Sequence, residues 1–414
     1  MCEEMNGAWG AGYPNVRLRR LRRTAAIRDL FAMPQPPAAS FIWPVFVLPG
    51  EGRREEIPSM PGQFRLSADE LVKELAPVVA QGIKSVLLFG QHEGEGKDEC
   101  GTPAADPQGA VQRAIPILRA AYPDLVILTD VCLCAYTCHG HCGPHDSEGD
   151  IDNDVACEML ARVAVSHARA GADGVAPSAM MDGQIAAIRR ALDEEGFSKT
   201  LLISYSTKFA SQMYGPFRDA ENSAPSKGDR QGYQASYRDP GTALRESVLD
   251  EREGADALMV KPALFYLDLI KEVRARTDLP VMAYNVSGEY SMIFAAAEKG
   301  YCDLYATARE SLYAIFRAGA TQVISYWAPF YSKIFGRGDC PPAEKELKCS
   351  ASVITVRCVG PVRAGWRFSP AFSSGASVSA VFRRPSTTSW WSSTRSADST
   401  AACWSSCVKR QAFC

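Results

Sequence analysis

Short runs of apolar residues alternate along the chain with longer amphipathic stretches. A continuous apolar run is typical of a strand buried on both faces of a parallel sheet, and apolar residues at every third or fourth position are typical of a helix covering such a sheet. The predicted strands are Phe41–Leu48, Lys84–Phe89, Leu125–Val131, Gly174–Pro177, Leu201–Tyr205, Ala257–Val260, Pro280–Val286 and Gln322–Tyr326. The predicted helices are Ser67–Gln81, Gly109–Ala121, Val155–Ala170, Gln184–Glu195, Gly241–Glu253, Tyr266–Thr277, Tyr290–Lys299 and Glu310–Ala318.

This repeat of strand and helix predicts an α/β fold. Eight such units in succession predict one closed (β/α)8 barrel, also called a TIM barrel. An open, doubly wound sheet is the alternative, but no G-x-G-x-x-G motif follows the first predicted strand. We therefore expect an N-terminal arm over residues 1–38, a catalytic barrel over residues 39–335 and a separate tail over residues 336–414.

The tail differs from the rest of the chain in composition. It mixes Ser, Thr, Arg, Cys and Pro without helical or strand periodicity, which predicts a disordered segment. A basic binding arm is the alternative, although the scattered arginines form no face. A frame-shifted reading of the end of the gene would have the same composition. Residues 351–414 hold eight Lys or Arg against one acid, so the remainder of the chain is acidic.

The overall composition excludes several classes of protein. The 414 residues are 46% hydrophobic and 22% charged with a net charge of −2, which is typical of a globular protein with no nucleic-acid partner. No apolar run is long enough to span a membrane, and the start of the chain has no secretory signal, so a cytoplasmic location is expected. Fourteen cysteines in that compartment indicate metal or redox chemistry rather than disulfides. The basic segment 17–23 is expected to form a solvated arm that packs on a neighbouring subunit, because the rest of the body is acidic; a nucleic-acid-binding patch is the alternative.

Three cysteines after the third predicted strand are spaced as a metal site. Cys132, Cys134 and Cys142 follow a C-x-C-x7-C pattern, in which the first two point the same way from an extended segment and Gly140 permits the return to the third. Three soft thiolates favour zinc and leave its fourth position open, as catalytic zinc requires. The alternative is a closed, structural zinc site completed by one of Cys138, His139 and His141.

Two lysines lie at or beyond the ends of predicted strands. Lys208 follows the fifth strand and Lys261 the sixth, and the carboxyl ends of barrel strands meet at one mouth, where barrel enzymes carry their chemistry. Burial and a nearby second cation both lower the pKa of an amine, and a neutral amine can form a Schiff base with a ketone. An ion-paired or snorkelling lysine is the alternative for either residue alone.

Groups that bind anions lie in the long connection after Lys208. Arg218 and Arg230 can hold a carboxylate in a bidentate manner, with Gln234 assisting. A connection of this length is too long for a passive link and predicts a lid. The other polar residues expected at strand ends are Asp130, Ser178, Ser287 and Tyr326. The hydroxyl groups of the last two can bind a second carboxylate.

Several motifs between residues 16 and 335 occur together in one known family. They are the basic segment Arg19–Arg23, Ile57–Gly62, the cysteine loop Asp130–Gly143, Tyr214–Asp219, Met259–Pro262 and Val286–Tyr290. In this combination the chain resembles the 5-aminolevulinate dehydratase (porphobilinogen synthase) family of the zinc type. The resemblance implies a TIM barrel with an extended N-terminal arm, assembled as a homo-octamer. It also implies a hydro-lyase of haem biosynthesis that condenses two 5-aminolevulinate molecules into porphobilinogen, with loss of two waters.

The resemblance assigns the two lysines to two substrate molecules. It implies that Lys261 forms the Schiff base with the first substrate, whose carboxylate Ser287 and Tyr326 bind. It implies that Lys208 serves the second substrate. The residues that would meet the second carboxylate are Arg218, Arg230 and Gln234.

The resemblance also implies where metal ions bind. It places zinc on Cys132, Cys134 and Cys142, beside the second substrate. Two residues would line the same pocket, namely Asp130 and Ser178. Glu246 resembles the position that binds an accessory magnesium ion in some members.

The chain departs from the family pattern at several positions. Ala179 stands where many members have Asp, Lys227 where an aromatic residue is usual, and Cys138 where Ser or Asp is usual. Segment 235–238 differs from the sequence that is common in the lid.

Two rival functions are also open. An aldolase-like Schiff-base lyase would explain the lysines but not the three thiols. An inactive barrel retained as a zinc-binding module would not explain the lysines.

Overall fold

The computed structural model describes residues 13, 15–92, 96–221, 223–226 and 228–336, together with two short strands further on. The chain divides into two units, Met1–Arg337 and Gly338–Cys414. The described part of the second unit is an antiparallel pair of strands, Leu347–Cys349 and Ser352–Ile354. Apart from this pair and Gly336, the predicted disordered tail lies outside the described residues, and so does Lys227.

Eight parallel strands of the first unit close into a barrel, which confirms the predicted fold. The ten strands in the described part of this unit are β1 (Phe41–Leu48), β2 (Arg54–Glu56), β3 (Phe64–Ser67), β4 (Ser85–Gly90), β5 (Val126–Val131), β6 (Gly174–Pro177), β7 (Leu201–Lys208), β8 (Ala257–Lys261), β9 (Val281–Asn285) and β10 (Gln322–Ser325). All of them except β2 and β3 belong to the barrel ring. The order around the barrel is β1-β4-β5-β6-β7-β8-β9-β10, and β10 pairs back onto β1 with Val323 opposite Phe41. Every residue of β1, β8 and β9 is buried, as expected for strands covered on both faces.

Helices cover the outside of the barrel. They are α1 (Ala25–Phe31), α2 (Ala68–Val79), α3 (Ala110–Ala121), α4 (Asn153–Ala170), α5 (Gln184–Glu194), α6 (Gly215–Glu221), α7 (Pro240–Arg252), α8 (Leu267–Arg274), α9 (Ser287–Glu298), α10 (Leu304–Ala318) and α11 (Tyr331–Phe335). Helix α2 buries Leu71, Leu75 and Val78, the spacing that brings one helical face onto a sheet. Helix α10 begins six residues earlier than predicted because the Asp303 side chain caps it by accepting the Ala306 N–H. No described helix is long and apolar enough to cross a membrane.

The structure adds a small hairpin that the apolar pattern did not predict. Strand β3 pairs with the carboxyl half of β1, with Arg65 opposite Phe46, and β2 pairs antiparallel with β3. The β2 sequence Arg-Glu-Glu is charged and largely exposed, so it carries no apolar signal. The hairpin extends the barrel wall at the end of β1 where the mouth lies.

The arm before the barrel is exposed along its described length. A short 3-10 helix over Leu18–Arg22 precedes α1, and neither contains a buried residue. The arm exposes large apolar side chains, including those of Leu18, Leu30 and Phe31. Exposed apolar groups in such number are typical of a surface that contacts another chain.

Strand β7 extends three residues beyond its predicted end. The prediction stopped at Tyr205 because Ser206 and Thr207 are polar, but both are buried. The Thr207 hydroxyl donates a hydrogen bond to the Met259 carbonyl oxygen at 3.0 Å, which satisfies it inside the barrel wall. The extension makes Lys208 the last residue of the strand.

Candidate active site

The two strand-end lysines lie side by side at the barrel mouth. Lys208 and Lys261 are opposite each other in the last register pair of β7 and β8. Their side chains are almost fully buried, with 5% and 4% of their surface exposed. Opposite residues on neighbouring strands project from the same face of a sheet. The Lys208 Nζ donates a hydrogen bond to the Ser178 carbonyl oxygen at the end of β6.

Aromatic rings surround the Lys261 amine. Its Nζ lies 4.2 Å from the ring centroid of Tyr284, 5.0 Å from that of Phe217 and 5.1 Å from that of Tyr205. Burial, followed by the charge of Lys208, lowers the pKa of Lys261 to about 7. A large fraction of this amine is therefore uncharged at neutral pH, which is the form that attacks a carbonyl carbon.

The three predicted thiols form one compact, buried cluster. The sulfur atoms of Cys132, Cys134 and Cys142 all lie within 4.8 Å of one another, and the first two are 3.4 Å apart. Hydrogen bonds from Cys132 and Cys134 hold the pKa of Cys142 well below its usual range, and Arg230 and Lys208 contribute in the same direction. Three soft donors with one thiol inclined to ionise fit a zinc ion.

Nothing in the described part of the chain closes this cluster with a fourth ligand. No further His, Cys, Asp or Glu of the described residues joins the three sulfur atoms within the same distance. Cys138 is exposed and contacts Glu99, with its sulfur 3.1 Å from the Glu99 Oε1. This arrangement favours an open site over the closed, structural alternative.

Two buried carboxyl groups interact electrostatically with both the thiols and Lys261. Burial raises the pKa of Asp130 to about 6, although the charges of Lys261 and Lys208 oppose the shift. Glu221, in α6, is 4% exposed, and its Oε2 lies 4.0 Å from the Cys134 sulfur. Burial, followed by the charge of Cys134, raises the pKa of Glu221 well above its usual value. Sequence reasoning missed Glu221, because its partner is 87 residues away along the chain.

The predicted anion-binding residues come from the connection between β7 and α7. Arg230 is 5% exposed, and its Nη2 donates hydrogen bonds to the carbonyl oxygens of Gly140 at 2.9 Å and Ser223 at 2.6 Å. These bonds fasten the connection to the cysteine loop. Arg218 is half-buried in α6, and Gln234 is buried with 3% of its surface exposed.

Unsatisfied polar atoms mark the same region as a binding site. Among the described residues, nine buried side-chain nitrogen or oxygen atoms have no hydrogen-bond partner. Six of them belong to Asp130, Tyr205, Arg218, Arg230 and Gln234. Buried polar groups are nearly always paired in folded proteins, so a concentration of unpaired ones points to a polar ligand.

Ser287 and Tyr326 lie on the Lys261 side of the mouth. The Ser287 Oγ accepts a hydrogen bond from the Phe217 N–H at 3.0 Å, which links it to the segment that covers Lys261. The Tyr326 hydroxyl is buried and 3.2 Å from that of Tyr284, whose ring contacts the Lys261 amine.

A buried glutamate that sequence reasoning missed connects the ends of two strands. Glu289 is fully buried, and its Oε1 accepts hydrogen bonds from the N–H groups of Ala263 at 3.1 Å and Leu264 at 2.6 Å. Its Oε2 accepts from the Asn285 side chain and the Val286 N–H, both at 2.9 Å. The carboxylate thus holds the backbone just after Lys261 against the backbone just before Ser287.

Glu246 lies on the outer helix α7. Burial, followed by the charges of Asp182 and Glu253, raises its pKa.

Ala179, where many family members have Asp, is fully buried next to Ser178. Its methyl side chain offers no polar group to the mouth.

Known proteins resemble this chain over the arm and the barrel. The family model described as "Delta-aminolevulinic acid dehydratase" matches residues 15–334. A relative of that name from Methanothermobacter thermautotrophicus is 51% identical over 319 residues, covering 77% of this chain and 96% of the relative. One from Halalkalibacterium halodurans is 50% identical over 312 residues, covering 75% of this chain and 94% of the relative.

A solved structure shows the same similarity in three dimensions. It is the delta-aminolevulinic acid dehydratase (porphobilinogen synthase) of Toxoplasma gondii in complex with its reaction product, porphobilinogen. The TM-score is 0.75 at 44% sequence identity, over 77% of this chain and 91% of that one.

Proposed function

The chain belongs to the delta-aminolevulinic acid dehydratase (porphobilinogen synthase) family, and we propose that it condenses two 5-aminolevulinate molecules through Schiff bases on Lys261 and Lys208 beside a zinc ion. It is a hydro-lyase of tetrapyrrole biosynthesis, like the relatives that match almost their whole length to it. The product, porphobilinogen, forms with the loss of two waters. The finer assignments below rest on the geometry of the mouth.

One observation carries the proposal: two buried lysines are register partners on neighbouring strands, and one has a pKa of about 7. A lysine that only forms an ion pair keeps its charge. Here the lowered pKa of Lys261 leaves an amine that is nucleophilic at neutral pH. The aldolase-like alternative requires one such lysine and gives no role to the thiols.

Lys261 is the attachment point of the first substrate. Its uncharged Nζ adds to the ketone carbon, and loss of the carbonyl oxygen as water leaves a protonated imine on the enzyme. That imine withdraws electrons from the adjacent carbon, which allows a proton to leave. The hydroxyl groups of Ser287 and Tyr326 bind the carboxylate and hold the chain of the substrate in place.

Lys208 serves the second substrate in the same way, on the side of the mouth nearer the thiols. The unpaired Nε atoms of Arg218 and Arg230 and the unpaired amide of Gln234 bind the second carboxylate. When both substrates are held in place, the bond-forming steps become reactions between neighbouring groups. In ideal cases this lowers the activation free energy by up to about 7–11 kcal/mol.

Asp130 is the group placed to move protons between the substrates. Its Oδ1 is buried without a partner, and its pKa of about 6 lies near the working pH, as a general base requires. Its neighbour Ser178 orients it, since a hydrogen bond from the Ser178 side chain contributes to its pKa. Zinc held by Cys132, Cys134 and Cys142 would supply a positive charge next to the second substrate.

Three further assignments belong to the proposal. Glu246 and its carboxylate neighbours would hold an accessory magnesium ion. The exposed apolar arm supports assembly as a homo-octamer, with the arm packed on a neighbouring subunit. The cytoplasm is the compartment in which the free thiols of the cluster stay reduced.

The test is the formation of product by the purified, zinc-loaded full chain. With 5-aminolevulinate it should form a pyrrole that Ehrlich's reagent detects. A chain that forms no pyrrole but binds zinc would favour the zinc-binding module instead.

A further inference from the structure

Three of the five histidines of the chain lie together in the connection between β5 and α4, and the proposed reaction uses none of them. The ring centroids of His139 and His145 are 4.2 Å apart, and His141 lies 5.4 Å from His145 and 5.7 Å from His139. Imidazole rings gathered in this way are characteristic of metal sites rather than of packing cores.

Glu99, from the loop after β4, adds an oxygen donor to the group. One ligand atom from each of Glu99, His139 and His145 lies within 4.8 Å of the others, and the His139 Nε2 is 3.8 Å from the Glu99 Oε2. The sulfur of Cys138 lies 3.1 Å from the other Glu99 oxygen, but it does not join this group of ligand atoms. We propose that Glu99, His139 and His145, here called the histidine site, bind a second divalent ion of the zinc class.

The histidine site shares no residue with the thiol cluster and differs from it in chemistry. The thiol cluster offers three buried sulfur atoms, whereas the histidine site offers two nitrogens and a carboxylate. Glu99 and His145 are exposed, so an ion reaches this site directly from solvent. Nitrogen and oxygen donors of this kind suit zinc, cobalt and nickel better than magnesium.

Without an ion, His139 makes hydrogen bonds through both ring nitrogens, so we expect the histidine site to bind zinc more weakly than the thiol cluster does. The His139 Nδ1 accepts a hydrogen bond from the His141 N–H at 3.1 Å, so the Nε2 carries the proton and faces the Glu99 carbonyl oxygen at 3.1 Å. An ion at Nε2 moves that proton to Nδ1 and replaces both hydrogen bonds. The thiol cluster is therefore expected to fill first and the histidine site second.

An ion in the histidine site would join two loops of the mouth and act on a third through a backbone hydrogen bond. Glu99 belongs to the loop after β4, and His139 and His145 belong to the loop after β5. The His139 carbonyl oxygen also accepts a hydrogen bond from the Ser226 N–H at 3.0 Å, in the connection that carries the anion-binding arginines. Binding is thus expected to restrain the loops around the thiol cluster.

The test counts zinc in the full chain after dialysis against zinc alone. Because the chain has fourteen cysteines, the measured quantity is the difference between proteins rather than the total. H145A and E99Q should each hold one zinc fewer than the wild type. E148Q, which removes an exposed carboxylate from the same loop, should hold as many as the wild type.

Cobalt substitution separates the two sites. The intense thiolate-to-cobalt absorption belongs to the thiol cluster and should be unchanged in H145A, which also shows that the variant is folded. In the wild type, but not in H145A, the second equivalent of zinc should slow hydrogen exchange at the Cys138 amide, which donates to the Asp98 carbonyl oxygen at 3.0 Å. Equal zinc content in the wild type, H145A and E99Q would overturn the proposal.

Discussion

Lys208 and Lys261 are opposite each other across the last register pair of two parallel strands, and both side chains are buried. The arrangement brings together two amines that would repel each other if both were charged. The charge of Lys208 is one cause of the lowered pKa of Lys261. Lys208 therefore affects the chemistry of Lys261.

The first prediction concerns the pH dependence of Schiff-base formation at Lys261. Its pKa is lowered from 10.5 to about 7, so the reactive, neutral form increases as the pH rises through 7. The rate of imine trapping by borohydride should rise over this range and level off above it. In K208M the pKa of Lys261 should move upward, because a repelling charge is gone. An identical pH profile in K208M would show that the two amines do not interact.

A second prediction distinguishes the two arginines. Burial and the charge of Arg230 lower the pKa of Arg218, so R218Q relieves repulsion and should leave the melting temperature unchanged or higher. Its KM should rise roughly 10- to 100-fold, which corresponds to losing one charged hydrogen bond of about 1.5–3 kcal/mol.

R230Q provides the comparison. It should raise KM and also destabilise the protein by about 2–4 kcal/mol, because the bonds to Gly140 and Ser223 are lost. Steady-state kinetics and thermal unfolding of both variants measure the two effects. Equal melting temperatures for R230Q and the wild type would contradict the role of Arg230 in fastening the connection between β7 and α7.

The third prediction concerns the metal. C132A should lose the zinc of the thiol cluster and reduce pyrrole formation to background, while circular dichroism shows an intact fold. C302S, which alters a partly buried cysteine outside the cluster, should keep both zinc and activity. Full zinc content together with full activity in C132A would refute the metal assignment.

The fourth prediction tests the positioning role of Glu289. In E289Q an amide NH2 replaces an oxygen that accepts two N–H groups, so at least two hydrogen bonds are lost next to Lys261. We expect destabilisation of about 3–5 kcal/mol and slower imine trapping at Lys261. The control is E298Q, at the exposed end of the same helix. Trapping at the wild-type rate in E289Q would show that Glu289 does not position the lysine.

The strands and helices of the barrel could be predicted from the sequence because the physical signal is local. A strand covered on both faces, such as β1, must be apolar throughout, and an outer helix such as α2 must carry an apolar stripe. The predicted end of β7 was wrong because its last polar residues are buried: Ser206 bonds to Ser247 of helix α7, and Thr207 bonds to the backbone of β8. It also missed β2, where charged residues form an exposed strand.

The chemistry of the mouth could be predicted only in part. Residues with distinctive chemistry at strand ends, such as Lys261 and Cys132, are visible in the sequence. Glu221 and Glu289 are not, because their importance depends on partners distant in the sequence or on the backbone. The rings that surround the buried amine of Lys261, including that of Tyr284, have the same pattern as ordinary core residues.

The measurement that tests the central claim most directly is reductive trapping followed by peptide mapping. Borohydride added to the protein with 5-aminolevulinate should leave one substrate-derived adduct on the peptide that contains Lys261. K261A should give no adduct on that peptide, and K271A, which alters an exposed lysine of α8, should give the wild-type amount. Pyrrole formation by the wild type without any adduct at Lys261, or by K261A at the wild-type rate, would contradict the account.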